Sequence, residues 1–200
     1  MSHSPTNIGQ QYDEIAPWWN EYHQNSKYGM AALTRALSFM SKSGLALDVG
    51  CGSGGRLVRK MVSSGFRLTG VDASAKMIEL AKRNHPAQAF IHSDVQAWKT
   101  HERFDFILAW DSLFHLPLAA QQSVLEKLCN YLRPNGVLLH SFGLPRGEHE
   151  GEWRGQTFHY SSIGTAANLN LLRDNGLSIC HLERDQYPEK HIVSIAVKTG

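Results

Sequence analysis

Leu45-Ala46-Leu47-Asp48-Val49-Gly50-Cys51-Gly52-Ser53-Gly54-Gly55 is the stretch that decides how this chain folds. Its first five residues are a short apolar run of the kind that makes a buried strand, and glycines close it at once. RLVRKMVSSG then reads as a helix ended by Gly65. A glycine-rich turn between a strand and a helix is built to hold a ligand. Gly50 turns the chain sharply as it leaves the strand, Gly52 removes a side chain where a ligand lies against backbone, and Gly54 or Gly55 opens the helix.

The alternation continues downstream. RLTGVD predicts a second strand, SAKMIELAKRNHP a helix capped by Ser74 and stopped before Pro86, QAFIHSD a third strand and FDFILAWD a fourth. A long helix is expected over PLAAQQSVLEKLCNYLRPNG and a fifth strand over GVLLHSFG. Residues 144–160, LPRGEHEGEWRGQTFHY, are polar, hold three glycines and a proline, and read as a long loop. One more helix ends at Gly176, and LSICHLERD and HIVSIAVK are too close for a parallel crossover, so they pair antiparallel. Upstream, residues 7–22 form an aromatic helix with Tyr12, Ile15, Trp18, Trp19 and Tyr22 at three- and four-residue spacing, and residues 28–41 a second helix. The whole is an α/β, doubly wound, Rossmann-like fold with helices on both faces of a parallel sheet. We read 1–200 as one domain: 1–43 N-terminal helices, 44–143 the ligand-binding core, and 144–200 a substrate loop, last helix and strand pair.

Composition excludes several classes. With 42% apolar and 19% charged residues the chain can build a sizeable core, and Lys+Arg 20 against Asp+Glu 18 leaves a net charge of +2. That is too little to make nucleic acid the partner. Cys51, Cys129 and Cys180 are odd in number and far apart, which argues for a reducing cytoplasmic setting and against a disulfide framework or a metal site. The N-terminus lacks the pattern of a secretory signal, and the most apolar stretch, Phe104–Ala120, is broken by Asp105, Asp111, His115 and Pro117, so no membrane span is expected.

Gly50-x-Gly52-x-x-Gly55 matches the dinucleotide fingerprint, and Asp72 stands 22 residues after Gly50, where an acid for ribose hydroxyls is expected. Asp48 separates two cofactor classes. A carboxylate at the mouth of the first strand is poorly suited to an anionic pyrophosphate, which prefers bare backbone N–H groups. It suits an ammonium group, such as that of S-adenosylmethionine (SAM). Asp72 can accept both ribose hydroxyls, Asp94 an adenine amine, with Val95 and Met77 covering the ring. For each of these acids alone, helix or turn capping is an equally ordinary role.

DVGCGSG, GVDAS, HSDV, FDFILAWDSLFHL and LRPNGVLLHSF, in this order, resemble the successive motifs of class I SAM-dependent methyltransferases over about Leu45–Gly143. The resemblance implies a seven-stranded sheet of order 3-2-1-4-5-7-6 with strand 7 antiparallel. It implies SAM as cofactor and S-adenosylhomocysteine (SAH) as product, with Gly50, Cys51, Gly52 and Gly54 in contact with SAM, Asp48 near its methionine end, Asp72 with Ala73 at its ribose, and Asp94 with Val95 at its adenine. Trp110 ends the fourth strand beside that site. In similar small methyltransferases a Tyr-Asp-x-x-Ala segment precedes the core as a lid, and Tyr12-Asp13-Glu14-Ile15-Ala16 fits it, with Tyr12 near the cofactor.

Trp110-Asp111-Ser112-Leu113 stands where nucleic-acid amino-methyltransferases carry an Asn/Asp-Pro-Pro-aromatic tetrad, and there is no Pro-Cys for attack on cytosine. The expectation is therefore methyl transfer to a small molecule by in-line displacement, ahead of an RNA or protein methyltransferase and, more remotely, an NAD(P)-dependent oxidoreductase. His115 and Asp111 are the best-placed candidate bases, with Tyr160 and His159 reaching the substrate if the loop folds over the pocket. Ordinary local packing of His115 competes with that role. Arg146, Glu148, Trp153 and Arg154 are candidate recognition residues on the same loop. A monomer or homodimer is expected.

Overall fold

The computed structural model describes residues 5–200, with side chains from Asn7 onward. The first four residues of the expected segment 1–43 lie outside that range. Strands β1 (Leu45–Val49), β2 (Arg67–Asp72), β3 (Ala89–His92), β4 (Phe104–Ala109) and β5 (Leu132–Gly143) run parallel. Helices α3 (Arg56–Ser63), α4 (Ala75–Asn84) and α5 (Leu118–Tyr131) lie between them in sequence. After a two-stranded hairpin, β6 (Arg146–Trp153) and β7 (Gln156–Ile163), come α6 (Thr165–Asp174), β8 (Leu177–Asp185) and β9 (His191–Lys198). The sheet order is β3-β2-β1-β4-β5-β9-β8, with β9 antiparallel to both neighbours. This is the expected 3-2-1-4-5-7-6 order, β8 and β9 being the sixth and seventh strands of the sheet.

The central strands are apolar on both faces because both are covered. Along β4, Phe106 and Leu108 enter the cluster beneath α2 (Met30–Leu37), α3 and α4, while Ile107 and Ala109 enter the one beneath α5 and α6. Along β5, Val137 and Leu139 face the first cluster and Leu138 the second. Period-two alternation thus serves two cores at once. Ser74 caps α4 as its position suggested, its Oγ accepting the Met77 N–H at 3.0 Å.

Several elements differ from expectation, among them the join of α5 and β5: the helix ends at Tyr131 and the strand starts at Leu132, where the helix was expected to run on to Gly136. Helix α1 is longer, Pro5–Gln24, and α2 is shorter, starting after Gly29, whose φ of 77° is closed to a helix interior. The largest correction concerns residues 144–160, which form most of the β6–β7 hairpin. Its turn residues Arg154 and Gly155 both have positive φ, 50° and 76°, as two-residue hairpin turns of type I′ require. β6 faces water along most of its length and carries charges and glycines, so it shows no apolar alternation. Its order comes from β7, which buries Phe158, Ser161, Ser162 and Ile163 and is clamped by Gln121 of α5: Nε2 donates to Ser161 O at 2.7 Å and Oε1 accepts Ile163 N–H at 3.0 Å.

Among the described residues no helix is long and apolar enough to cross a membrane. Gly70 of β2 is where the sheet meets the glycine loop, since a Cβ there would lie 2.7 Å from the Phe90 ring and 2.8 Å from Cys51 Sγ. Gly70→Ala is therefore expected to cost about 1–3 kcal/mol through overpacking, read as a lower urea midpoint at unchanged slope.

Candidate active site under the N-terminal helix

The carboxyl ends of β1, β2 and β4 and the segment after β3 surround one deep cavity. The empty space between its walls is roughly 1170 Å³, a figure that includes open solvent at the mouth. Eleven of the twelve expected cofactor residues line it: Tyr12, Asp48, Gly50, Cys51, Gly52, Asp72, Ala73, Met77, Asp94, Val95 and Trp110. Gly54 is not among them. It turns its carbonyl away to His85 Nε2, 2.7 Å distant, and packs on α4. The candidate bases Asp111 and His115 line the cavity as well, whereas Tyr160 stands behind His115, ring centres 5.0 Å apart.

Asp72 organises the floor. Its Oδ2 accepts the Gly52 N–H and its Oδ1 the Ser74 N–H, both at 2.8 Å, so one carboxylate ties the glycine loop to the start of α4. Each oxygen keeps a further lone pair. Burial raises the Asp72 pKa, and these backbone N–H groups oppose the rise. Asp94 accepts from its own turn at Gln96 N (2.8 Å) and Gln96 Nε2 (3.2 Å). Asp48 is the outlier. Burial, and secondly the nearby Asp72 charge, push it up to about 8, while Arg56 opposes the rise. A carboxyl held at that value lacks a cation in contact with it.

Helix α1 roofs the cavity. Asp13 Oδ1 accepts from Ser74 Oγ and from Lys76 N–H at 2.9 Å, and Gln11 Nε2 donates to Thr157 O of β7. Gly9 permits the approach, because a Cβ there would strike the Ala73 carbonyl. Trp19 covers the loop, its Nε1 being 3.4 Å from where a Gly52 Cβ would lie. On the outer side, Arg154 sits 3.9 Å above the Trp18 ring and Trp153 packs edge-on against Trp18 and Trp19. Arg146, Glu148, Trp153 and Arg154 thus do not line the cavity, contrary to the recognition role expected of them. The segment carrying them is an ordered hairpin that braces the lid from behind.

Tyr12 and His115 form the roof's polar contact. Tyr12 Oη lies 2.9 Å from His115 Nε2, and His115 Nδ1 lies 2.9 Å from the carbonyl of His159. A carbonyl only accepts, so Nδ1 carries the proton and Nε2 accepts the tyrosine O–H. Burial holds His115 down at about 4 and raises Tyr12 well above the ordinary phenol value. Asp111, at a positive φ of 51°, is more committed: Oδ1 lies 2.8 Å from His191 Nε2 and accepts the Ser141 hydroxyl at 3.0 Å.

Sequence reasoning missed His23, Tyr28, Arg56 and Ser112, which also line the cavity. Only Arg56 had a signal, as the first helical residue after the glycine loop; the others arrive by tertiary folding. Among the described residues, no cluster of His, Cys, Asp and Glu could hold a metal ion.

Residues 46–136 match the profile of a methyltransferase-domain family. A curated relative, the dTDP-3-amino-3,6-dideoxy-alpha-D-glucopyranose N,N-dimethyltransferase of Streptomyces fradiae, is 30% identical over 151 residues, covering 70% of this chain. The chain spans 58% of that relative's length. Over this core the chain is similar to class I SAM-dependent methyltransferases. The fold is shared with the Burkholderia thailandensis 1,6-didemethyltoxoflavin-N1-methyltransferase, solved with 1,6-didemethyltoxoflavin and SAH (TM-score 0.72, 21% identity, 100% of this chain and 92% of that one). The magnesium protoporphyrin IX methyltransferase of Synechocystis, solved with SAM, is equally similar in shape (TM-score 0.75, 17% identity, 99% of each chain).

The buried histidines make stability depend on pH. His115 and His140 are held at about 4 by burial, below the unfolded value near 6.5. Above pH 6.5 both are neutral in either state and impose no cost. As pH falls towards 4 the unfolded chain takes up protons that these two histidines refuse in the fold, which lowers stability, while Asp48, held up at about 8 against an ordinary 3.8, takes up its proton in the fold and opposes that loss. The histidine share is read by comparing thermal unfolding of wild type and His140→Gln at pH 7.5, 6 and 5: the variant is expected to lose less stability, or gain more, on acidification than wild type.

Proposed function

We propose that the protein is a SAM-dependent methyltransferase that transfers a methyl group to a small-molecule acceptor by in-line displacement. The observation that carries the reading is the pair of carboxylates, buried Asp48 and half-buried Asp72, on the wall of a cavity floored by the glycine loop and roofed by an aromatic helix. The side chains present fit such a cofactor. Asp48 lacks a cation, and Ser53 Oγ, Ser112 Oγ and Trp110 Nε1 are buried cavity-lining polar atoms without a partner. Orphaned groups of this kind mark where a ligand's polar atoms belong.

When bound, the cofactor supplies a methyl group on a positively charged sulfur. The chain's residues divide the rest of the work. Asp48 takes the ammonium end, Asp72 the ribose hydroxyls with its remaining lone pairs, and Asp94 the adenine amine, with Met77 and Val95 against the ring. Tyr12 and Trp19 exclude water. Tyr12 gives its own proton to His115, so its oxygen keeps acceptor lone pairs for an O–H or N–H group. His115 is thereby the candidate base that fits best, acting through Tyr12, since Asp111 is already engaged by His191 and Ser141. The names of the relatives, an amino-sugar nucleotide methyltransferase and a toxoflavin-precursor methyltransferase, support a small acceptor.

Calorimetric titration of the protein with SAM, SAH and NADH in parallel tests the reading. Binding of SAM and SAH alone is expected; binding of NADH alone would return the chain to the oxidoreductases. Asp72→Ala should lose roughly 2–4 kcal/mol of SAH affinity, the scale of charge-assisted hydrogen bonds in a buried site.

A pH series adds an independent arm. Below about 8 the free site holds a proton on Asp48 that an ammonium-bearing ligand must displace. SAH affinity should therefore weaken by up to about tenfold per pH unit on going down from 8, and level off above it. In Asp48→Asn it should be weaker and nearly flat.

A further inference from the structure

Asp111 is the acid of the cavity that the cofactor reading leaves unassigned. It follows β4, lines the cavity, and is fixed from several sides. Its N–H donates to Ser141 Oγ at 2.8 Å, and its Oδ1 accepts the Ser141 hydroxyl at 3.0 Å. His191 Nε2 lies 2.8 Å from the same oxygen, while the other nitrogen of that ring lies 3.4 Å from Asp185 Oδ2. Gln186 Nε2 donates to the Tyr28 hydroxyl oxygen at 2.6 Å, which leaves the phenol proton for Asp111. Burial and then the Asp111 charge raise the Tyr28 pKa, so that proton stays in place. A carboxylate offers roughly four acceptor sites, and Ser141, His191 and Tyr28 leave room for a ligand's N–H or O–H.

The surroundings favour a group that becomes positive. The aromatic rings of Tyr12, Trp19, Tyr28 and Trp110 line the same cavity. Among the described residues lining it, half-buried Arg56 is the only Lys or Arg, against four aspartates. Electron-rich rings beside a carboxylate suit a cation. The Asp111 charge also registers in the titration of Tyr12, His23 and His115, so its field reaches across the roofed end. His23 and His115, held at about 4, are weak bases, which suits an acceptor that needs no base before it attacks. Resting on the SAM reading above, we propose that the methyl acceptor is an amine and that Asp111 receives it, accepting one N–H of the attacking nitrogen. The nitrogen lone pair forms the new N–C bond, the S–C electron pair stays on sulfur, and the positive charge passes from sulfur to nitrogen beside Asp111. The product leaves as a methylated ammonium and gives its extra proton to water. A carboxylate at that point stabilises charge as it develops. An alcohol, which loses its proton as it attacks, ends neutral and gains less from it.

The test compares SAH with three of its analogues by calorimetry on the full chain. In each analogue nitrogen replaces sulfur and carries a third arm in the methyl position: aminopropyl, butyl or carboxyethyl. The cofactor half anchors all three alike, so the charge of the arm is what differs. Wild type should prefer the aminopropyl arm over butyl by about tenfold or more, from a charge-assisted contact, and should bind the carboxyethyl arm most weakly. In Asp111→Asn the preference for aminopropyl over butyl should shrink to within about twofold, with SAH affinity changed by no more than about threefold. His191→Gln should reduce the same preference and keep SAH affinity, a split that general damage to the fold does not produce. A preference for the butyl or carboxyethyl arm in wild type, or equal affinity for all three, would overturn the proposal. So would an aminopropyl preference that survives in Asp111→Asn. Should that variant fail to fold, the wild-type order of the three arms still decides. Failure of wild type to bind SAH would instead reject the cofactor reading on which the proposal stands.

Discussion

The Asp72 carboxylate is the joint on which the site turns. It stands at the end of β2 and accepts one N–H from the glycine loop after β1 and another from the cap of α4, 2.8 Å in each case. Three chain segments distant in sequence are thereby fixed around one pair of oxygens. The lid depends on the same joint, because Asp13 of α1 docks on the Ser74 hydroxyl and the Lys76 N–H immediately beyond it. An acid in this position serves the fold before any ligand arrives, and it keeps further lone pairs beside the cavity.

Around that joint the molecule concentrates buried polar groups that have little to do with stability. Asp48, Arg56, Ser53, Ser112 and Trp110 all face one cavity, and none is fully matched by protein partners. Outside the cavity Gln121 binds Ser161 across α5 and β7 and His140 sits between Ser194 and Asn168, while Gln11 Oε1 and the 3.4 Å ion pair of His191 Nδ1 with Asp185 Oδ2 lack hydrogen bonds. Uncompensated charge is tolerable where a ligand completes it and costly anywhere else.

The roof is built with different physics. Helix α1 adheres through aromatic edges, a cation over Trp18 and hydrogen bonds to four elements, α3, α4, β7 and the 3-10 turn at Leu113–His115. Contacts of this kind are individually modest. The hairpin behind it is a brace, and its charged outer strand is what made residues 144–160 look like a loop.

The core was legible in the sequence because its determinants are local. Glycines at 50 and 52, strand-ending acids at 72 and 94, and apolar runs bounded by turns specify a doubly wound sheet and the end of it where a ligand lies. Asp48, Asp72 and Tyr12 were readable for the same reason, since each sits at a fixed offset from a strand or motif. The family's strand order came with the resemblance, and the pairing of β5, β9 and β8 agrees with it. Tertiary structure alone decided that His115 is capped by Tyr12, that Asp111 is spoken for by His191 from β9, and that Tyr160 stands outside. It alone decided that residues 146–163 pair as a hairpin, whose strand β6 has no pattern of its own. It also decided that Arg56 points inward with His23 and Tyr28 around it. Apart from the hairpin, whose strands are neighbours in sequence, these contacts join residues 28 to 103 positions apart, and no local pattern encodes them because each partner, taken alone, is an ordinary polar group.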